Sequence, residues 1–104
     1  MNWFAVSIFF QGVYTPTSGV SDLWEERIVL VLAENSESAT LEGERIGRAS
    51  EFSYSAAAGG DIYWKYYKIE RVHEIDAEIL GSGVELFARF MKKSEVDSMF
   101  SPIE

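Results

Sequence analysis

The chain contains no cysteine, a single histidine (His73) and only two prolines. Without a thiol there is no disulfide, no thiolate nucleophile and no cysteine-based metal site. One imidazole excludes a multi-histidine metal centre. Basic residues are also scarce: nine Lys and Arg stand against 17 Asp and Glu, a formal net charge of -8. The nine are scattered along the chain in runs no longer than two. A phosphate backbone is repelled by such a surface, so no nucleic-acid partner is expected. No apolar stretch approaches the ~20 residues of a membrane span. The run at residues 3–10 is too short, and lacks the basic flank, for a signal peptide. The expectation is a cytoplasmic protein with no membrane association.

Apolar and aromatic residues are plentiful. Hydrophobic side chains make up 47% of the 104 residues and aromatic ones 14%, enough to build a packed core in one domain spanning residues 1–104. Residues 3–10, WFAVSIFF, are rich in aromatic and β-branched types and apolar on both alternating sets, which predicts a strand covered on both faces. A Pro16- and Gly19-containing stretch, residues 15–21, predicts the first loop. Residues 23–33, LWEERIVLVLA, predict a second strand with an exposed, charged start and a central position for residues 28–32.

A helix is predicted over residues 38–50. Asn35 or Ser36 supplies the cap, Glu37 suits the positive end of the helix dipole, and Ala39, Gly43, Ile46, Gly47 and Ser50 form one inward stripe of mostly small residues. Residues 51–55 predict a short strand and residues 56–60 a small-residue turn. Residues 61–75, DIYWKYYKIERVHEI, predict one long strand, its mixed polarity on both faces pointing to a bulge. Gly81-Ser82-Gly83 reads as a hairpin turn into a last strand at residues 84–91. Ser94 and Asp97 then suggest the cap of a short terminal helix, ended by Pro102. The order β-β-α-(β)-β-β gives an α+β fold: an antiparallel sheet of four to five long strands with one main helix packed across one face.

The segments MNWFAVSIFF, LWEERIVLVLAENSESA, YWKYYKIERVHEI and GVELFARFM resemble a family of small bacterial proteins known as domain of unknown function 4288. The likeness runs from Asn2 to about Lys93 and is most specific at Trp24-Glu25-Glu26-Arg27. That family carries no assigned activity, so the resemblance implies no catalytic residue.

One helix cannot cover a sheet of this size, so the other face needs a partner, and a second copy of the chain is the simplest. The candidate interaction surface is Trp24, Glu25, Arg27, Tyr63, Trp64, Tyr66, Arg71 and His73. Trp24 beside Glu25 and Arg27 reads as an aromatic anchor in a charged patch, or as an ordinary cross-strand ion pair with Trp24 in the core. Tyr63, Trp64, Tyr66 and Tyr67 read as a protein interface or as core. The acidic series Glu70, Glu74, Asp76 and Glu78 lacks the oxygen cage of a calcium loop, and no glycine-rich phosphate loop occurs. No catalytic residue, cofactor or metal is nominated. The leading expectation is a non-catalytic module that forms a homodimer or binds a protein partner through an aromatic sheet face. The alternative is a small enzyme or ligand-binding domain with a cleft lined by Glu25, Arg27, Arg71 and His73.

Overall fold

The structure is a computed structural model, and it describes residues 1–14, 23–55, 60–76 and 78–101. Four strands and two helices follow in the order β1 (Asn2–Tyr14), β2 (Trp24–Ala33), α1 (Ser36–Ala49), β3 (Phe52–Ser55), β4 (Asp61–Glu74) and α2 (Lys93–Phe100). The strands form one antiparallel sheet in the order β2-β1-β4-β3. The fold is α+β, with the main helix on one face. The expected loop at residues 15–21, the turn at residues 56–59 and the stop at Pro102 lie outside the described residues.

β1 is the strand with apolar residues on both faces, and it takes an inner position. Its even-numbered residues Phe4, Val6, Ile8 and Phe10 are buried and form the core with Val31, Ala33, Ala39 and Trp64. Its odd-numbered Ala5 and Ser7 are buried too, on the opposite face.

Helix α1 starts at Asn35, whose Oδ1 accepts a 2.8 Å hydrogen bond from the Ser38 backbone N–H. That bond satisfies a donor the helix would otherwise leave open. The buried residues of the helix are Ala39, Gly43 and Gly47, as the small-residue stripe implies. A Cβ at Gly43 would stand 2.7 Å from Val6 Cγ1, and one at Gly47 would stand 2.5 Å from Tyr66 Cδ1. The glycines let the helix backbone rest on β1 and β4.

β4 carries the expected irregularity twice. Its register against β1 shifts between Ser7 and Ile8 and again between Phe9 and Phe10, so Glu70 and Tyr67 fall out of the pairing. Each shift re-phases the strand. Ile62, Trp64, Tyr66, Ile69 and Val72 face the helix, while Tyr63, Lys65, Lys68, Arg71 and His73 pair with the odd-numbered residues of β1.

Three local expectations are corrected. β2 is an edge strand, not a central one, and Ile28, Leu30 and Leu32 are exposed. Residues 84–91 form no strand: both neighbours of β1 are already in place, and the segment crosses the open face instead of joining an edge. α2 is capped at Lys92, whose backbone N–H donates to Glu95 Oε1 at 2.9 Å, and not at Ser94.

Candidate functional site

The face away from α1 is the candidate site. Its floor is the middle of β1, where the side chains are small: Ala5 and Ser7. On one side stands β2, with Ile28 paired to Ser7 and Leu30 paired to Ala5. On the other stands β4, with Arg71 opposite Ser7 and His73 opposite Ala5. Small residues between larger ones make a groove. Ser7 Oγ donates to Glu26 Oε2 at 2.5 Å, which satisfies the one buried polar side chain among the described residues.

An arm, residues 78–101, returns over this groove through the turn Gly81-Ser82-Gly83. Val84 N–H donates to the Gly81 carbonyl at 3.2 Å. Gly83 has φ +90, a backbone region that favours glycine. Leu80 and Leu86 line an apolar recess of about 240 Å³ with Ala5, Ile28, Val29 and Leu30. Glu85 Oε2 lies 3.3 Å from His73 Nε2, the Phe87 ring lies 6.0 Å from the His73 ring, and Arg89 Nη1 donates to Glu70 Oε1 at 2.7 Å. Beyond Met91 the described residues of the arm are all exposed.

Toward the other end of the face, Trp24 and Tyr67 meet edge to face with ring centroids 4.9 Å apart. Both are about half exposed, and Lys68 Nζ sits 5.4 Å from the Tyr67 ring. This end is therefore aromatic and basic, although the chain as a whole is acidic.

The eight residues of the expected surface do not form one patch. Trp24, Tyr63, Arg71 and His73 lie on the open face. Glu25 and Arg27 lie on the helix face: Arg27 Nε donates to Glu25 Oε1 at 2.6 Å, and its guanidinium stacks 4.0 Å from the Phe10 ring and 5.5 Å from that of Phe52. That contact joins the two edge strands across a curled sheet. Trp64 is only 7% exposed and belongs to the core. Tyr66 is wedged beneath α1, with its ring edge-on to Phe10 at 6.5 Å and Arg48 at 4.8 Å. Glu25 and Arg27 are thus separated by the sheet from Arg71 and His73, and the four do not line a common cleft. The open face also uses Ile28, Leu30, Tyr67, Lys68 and Leu86, which residue type alone does not single out. β2 carries no such signal: residues 28–33 are apolar at every position, so residue type does not say which side stays uncovered.

Glu51, just after the helix, accepts from the Tyr66 backbone N–H at 2.8 Å and from the Tyr63 hydroxyl at 3.0 Å. Its carboxylate raises the Tyr63 pKa above 10.0, chiefly through that hydrogen bond. Burial is the main cause that raises Tyr66 above the same value, and the charge of Glu44 adds to it. A tyrosine whose folded pKa lies above its unfolded one stabilises the fold fully below the unfolded pKa and loses that contribution as pH rises through the folded value. Stability should therefore fall as pH climbs past about 10. The Tyr66→Phe variant should show a shallower fall in melting temperature over that range. Thermal melts from neutral to alkaline pH check this, and equal slopes for the two proteins would refute it.

Among the described residues no group of His, Asp or Glu is arranged to hold a metal ion. None of their helices is long and apolar enough to cross a membrane.

A curled four-stranded antiparallel sheet, one helix across one face and an arm over the other define an open-faced α+β domain. The chain belongs to the family described as domain of unknown function (DUF4288), whose model matches residues 3–88. The match takes in the sheet, α1 and the part of the arm seated in the groove, and it stops before Arg89. No curated protein and no solved structure matches the chain.

Proposed function

We propose that this chain is a non-catalytic interaction domain whose open sheet face takes up a second protein chain, in the first instance another copy of itself. The observation that carries this reading is the row Ile28, Leu30 and Leu32 on edge strand β2, exposed at 52%, 44% and 46%. Contiguous apolar surface of this kind marks interaction sites in soluble domains. Among the described residues the same strand pairs with β1 alone, and it has neither lysine nor proline to protect its outer edge, which favours pairing with another chain. Trp24 and Tyr67 add aromatic area beside the row, the residue types that dominate interface energetics.

The test is the mass of the protein in solution, by light scattering behind a sizing column. The expected result is twice 11.8 kDa. The Ile28→Ser/Leu30→Ser double variant should fall back to a single chain with an unchanged circular dichroism spectrum. Burying the exposed half of two such side chains on each of two copies is worth about 3 kcal/mol, so assembly should weaken about 100-fold. A wild-type protein that stays at 11.8 kDa at every concentration overturns self-association.

A further inference from the structure

We infer that self-association runs edge to edge: β2 of one copy pairs antiparallel with β2 of a second, joining two four-stranded sheets into one of eight strands. This rests on the self-association proposed above and specifies its geometry.

The phase of the β1–β2 ladder shows which backbone groups of β2 are free. Gly12 N–H donates to the Leu23 carbonyl at 2.8 Å, next to the register pair Gln11 and Trp24. Hydrogen bonding alternates along an antiparallel pair, so odd-numbered residues of β2 turn their N–H and C=O to β1 and even-numbered ones turn theirs outward. The opposite side of β1 agrees: there the carbonyl of Trp3, an odd-numbered residue, accepts from Ile75 N–H on the β4 side. The outward set on β2 is therefore Glu26, Ile28, Leu30 and Leu32. Among the described residues β2 pairs with β1 alone, so this set has no strand to bond. The exposed apolar row and the open row of backbone donors and acceptors belong to the same residues.

Charged side chains at an edge normally discourage such pairing. Here they are tied back to their own sheet. Glu26 accepts from Ser7 Oγ, and Arg27 lies against Glu25 and the Phe10 ring. Residues 28–33 carry no charge at all.

A second β2 fits this edge. Outward groups must meet outward groups, so even-numbered residues lie opposite even-numbered ones. With Val29 on the two-fold axis, Ile28 lies opposite Leu30 of the second copy, and Leu30 opposite its Ile28. Glu25, Glu26 and Arg27 lie opposite Ala33, Leu32 and Val31 of the second copy, so no like charges meet. Moving the axis to Leu30 would set Glu26 against Glu34, two carboxylates. In the Val29 register the half-exposed Ile28 and Leu30 of the two copies cover one another, and a single self-complementary contact closes both free edges. The outer edges of the joined sheet are then the two β3 strands, each only four residues long, which offer little template for a further strand.

The lack of native cysteine makes the test clean. In this register the two copies of Val29 form a non-hydrogen-bonded pair with Cα atoms about 4.5 Å apart, within the span of a disulfide. The full-length Val29→Cys variant should therefore oxidise to a covalent dimer of twice 11.8 kDa on a non-reducing gel. Leu32→Cys is the control. It is more exposed, but it lies opposite Glu26 of the second copy, roughly 20 Å along the strand from the other Leu32, and should stay a single chain. Linking at Val29 and not at Leu32, in a protein whose wild type has dimer mass, supports edge pairing. If the wild type has dimer mass but Val29→Cys does not link, or Leu32→Cys links as well, edge pairing in this register falls and association through the face stands. If the wild type is monomeric, both fall.

Discussion

Trp64→Ala will destabilise the domain by about 3–5 kcal/mol, the range for deleting a large aromatic side chain from a core. The ring is only 7% exposed and belongs to the core cluster. It lies over Gly12, its register partner on β1, where a Cβ would stand 3.2 Å from Trp64 Cζ3 and 2.7 Å from the Leu23 carbonyl oxygen. On its other side β4 pairs with β3 through Trp64 and Phe52. The cavity left by alanine would be lined by strands that hold each other in place, so it will not collapse and the full cost will be felt. A domain of this size has only about 5–15 kcal/mol of stability, and each kcal/mol is worth about 4–8 °C of melting temperature. The variant should be partly unfolded at physiological temperature. Urea unfolding checks it, together with the concentration dependence of the melt. A stability loss below about 1 kcal/mol, or one that disappears on dilution, would place the ring in an interface and not in the core.

Trp64 and Trp24 show why the open face was only half legible from residue order. Both are tryptophans in aromatic, charged strands, yet one is core and the other lies half exposed against Tyr67. A period of two separates the faces of a strand only while the register is unbroken. β4 breaks it twice, so Ile69 leaves the set of Tyr63, Lys65 and Tyr67 and joins the helix side. A bulge is placed by the partner strand, and β1 is far away along the chain. Residues 84–91 alternate as cleanly as any strand, but alternation reports two environments and not a hydrogen-bonded neighbour. Here the two sets do not even keep separate sides: Leu86 lines the recess while Phe90 of the same set is fully exposed, and Phe87 and Arg89 of the other set touch the face. Ile28, Leu30 and Leu32 look central for a related reason: an exposed apolar residue has the same identity as a buried one. By contrast, β1 and α1 were readable because their signals are local. β1 is apolar on both sets throughout, and α1 carries its own cap at Asn35 and its own stripe of small residues.

That stripe carries the second large effect. Gly47→Val will destabilise the fold by more than the ~1–3 kcal/mol typical of overpacked cores, even though replacing a helical glycine normally gains up to about 1 kcal/mol. The Cβ alone would stand 2.5 Å from Tyr66 Cδ1, 2.9 Å from Cε1 and 3.1 Å from Ile8 Cγ2. These are the side of a ring and the inner methyl of a branched chain, not the free end of a flexible one. The ring cannot swing clear: Phe10 stands edge-on to it, Arg48 lies against its face, and the Tyr66 backbone is pinned to Glu51. The helix must lift, and lifting it uncovers Val6, Ile8 and Ile69 together. Gly47→Ala should already be destabilising despite its propensity gain, while Gly81→Ala, with nothing within 4 Å, should be close to neutral and serves as the control. The decisive comparison is the double variant Gly47→Ala/Tyr66→Leu. Removing the ring opens the space the new methyl needs, so the double variant should be more stable than the sum of its single changes predicts, by about 1 kcal/mol or more. Strict additivity in denaturant unfolding would mean that the loss comes from the helix backbone and not from contact with Tyr66, and that the small residues of α1 serve something other than its close approach to the sheet.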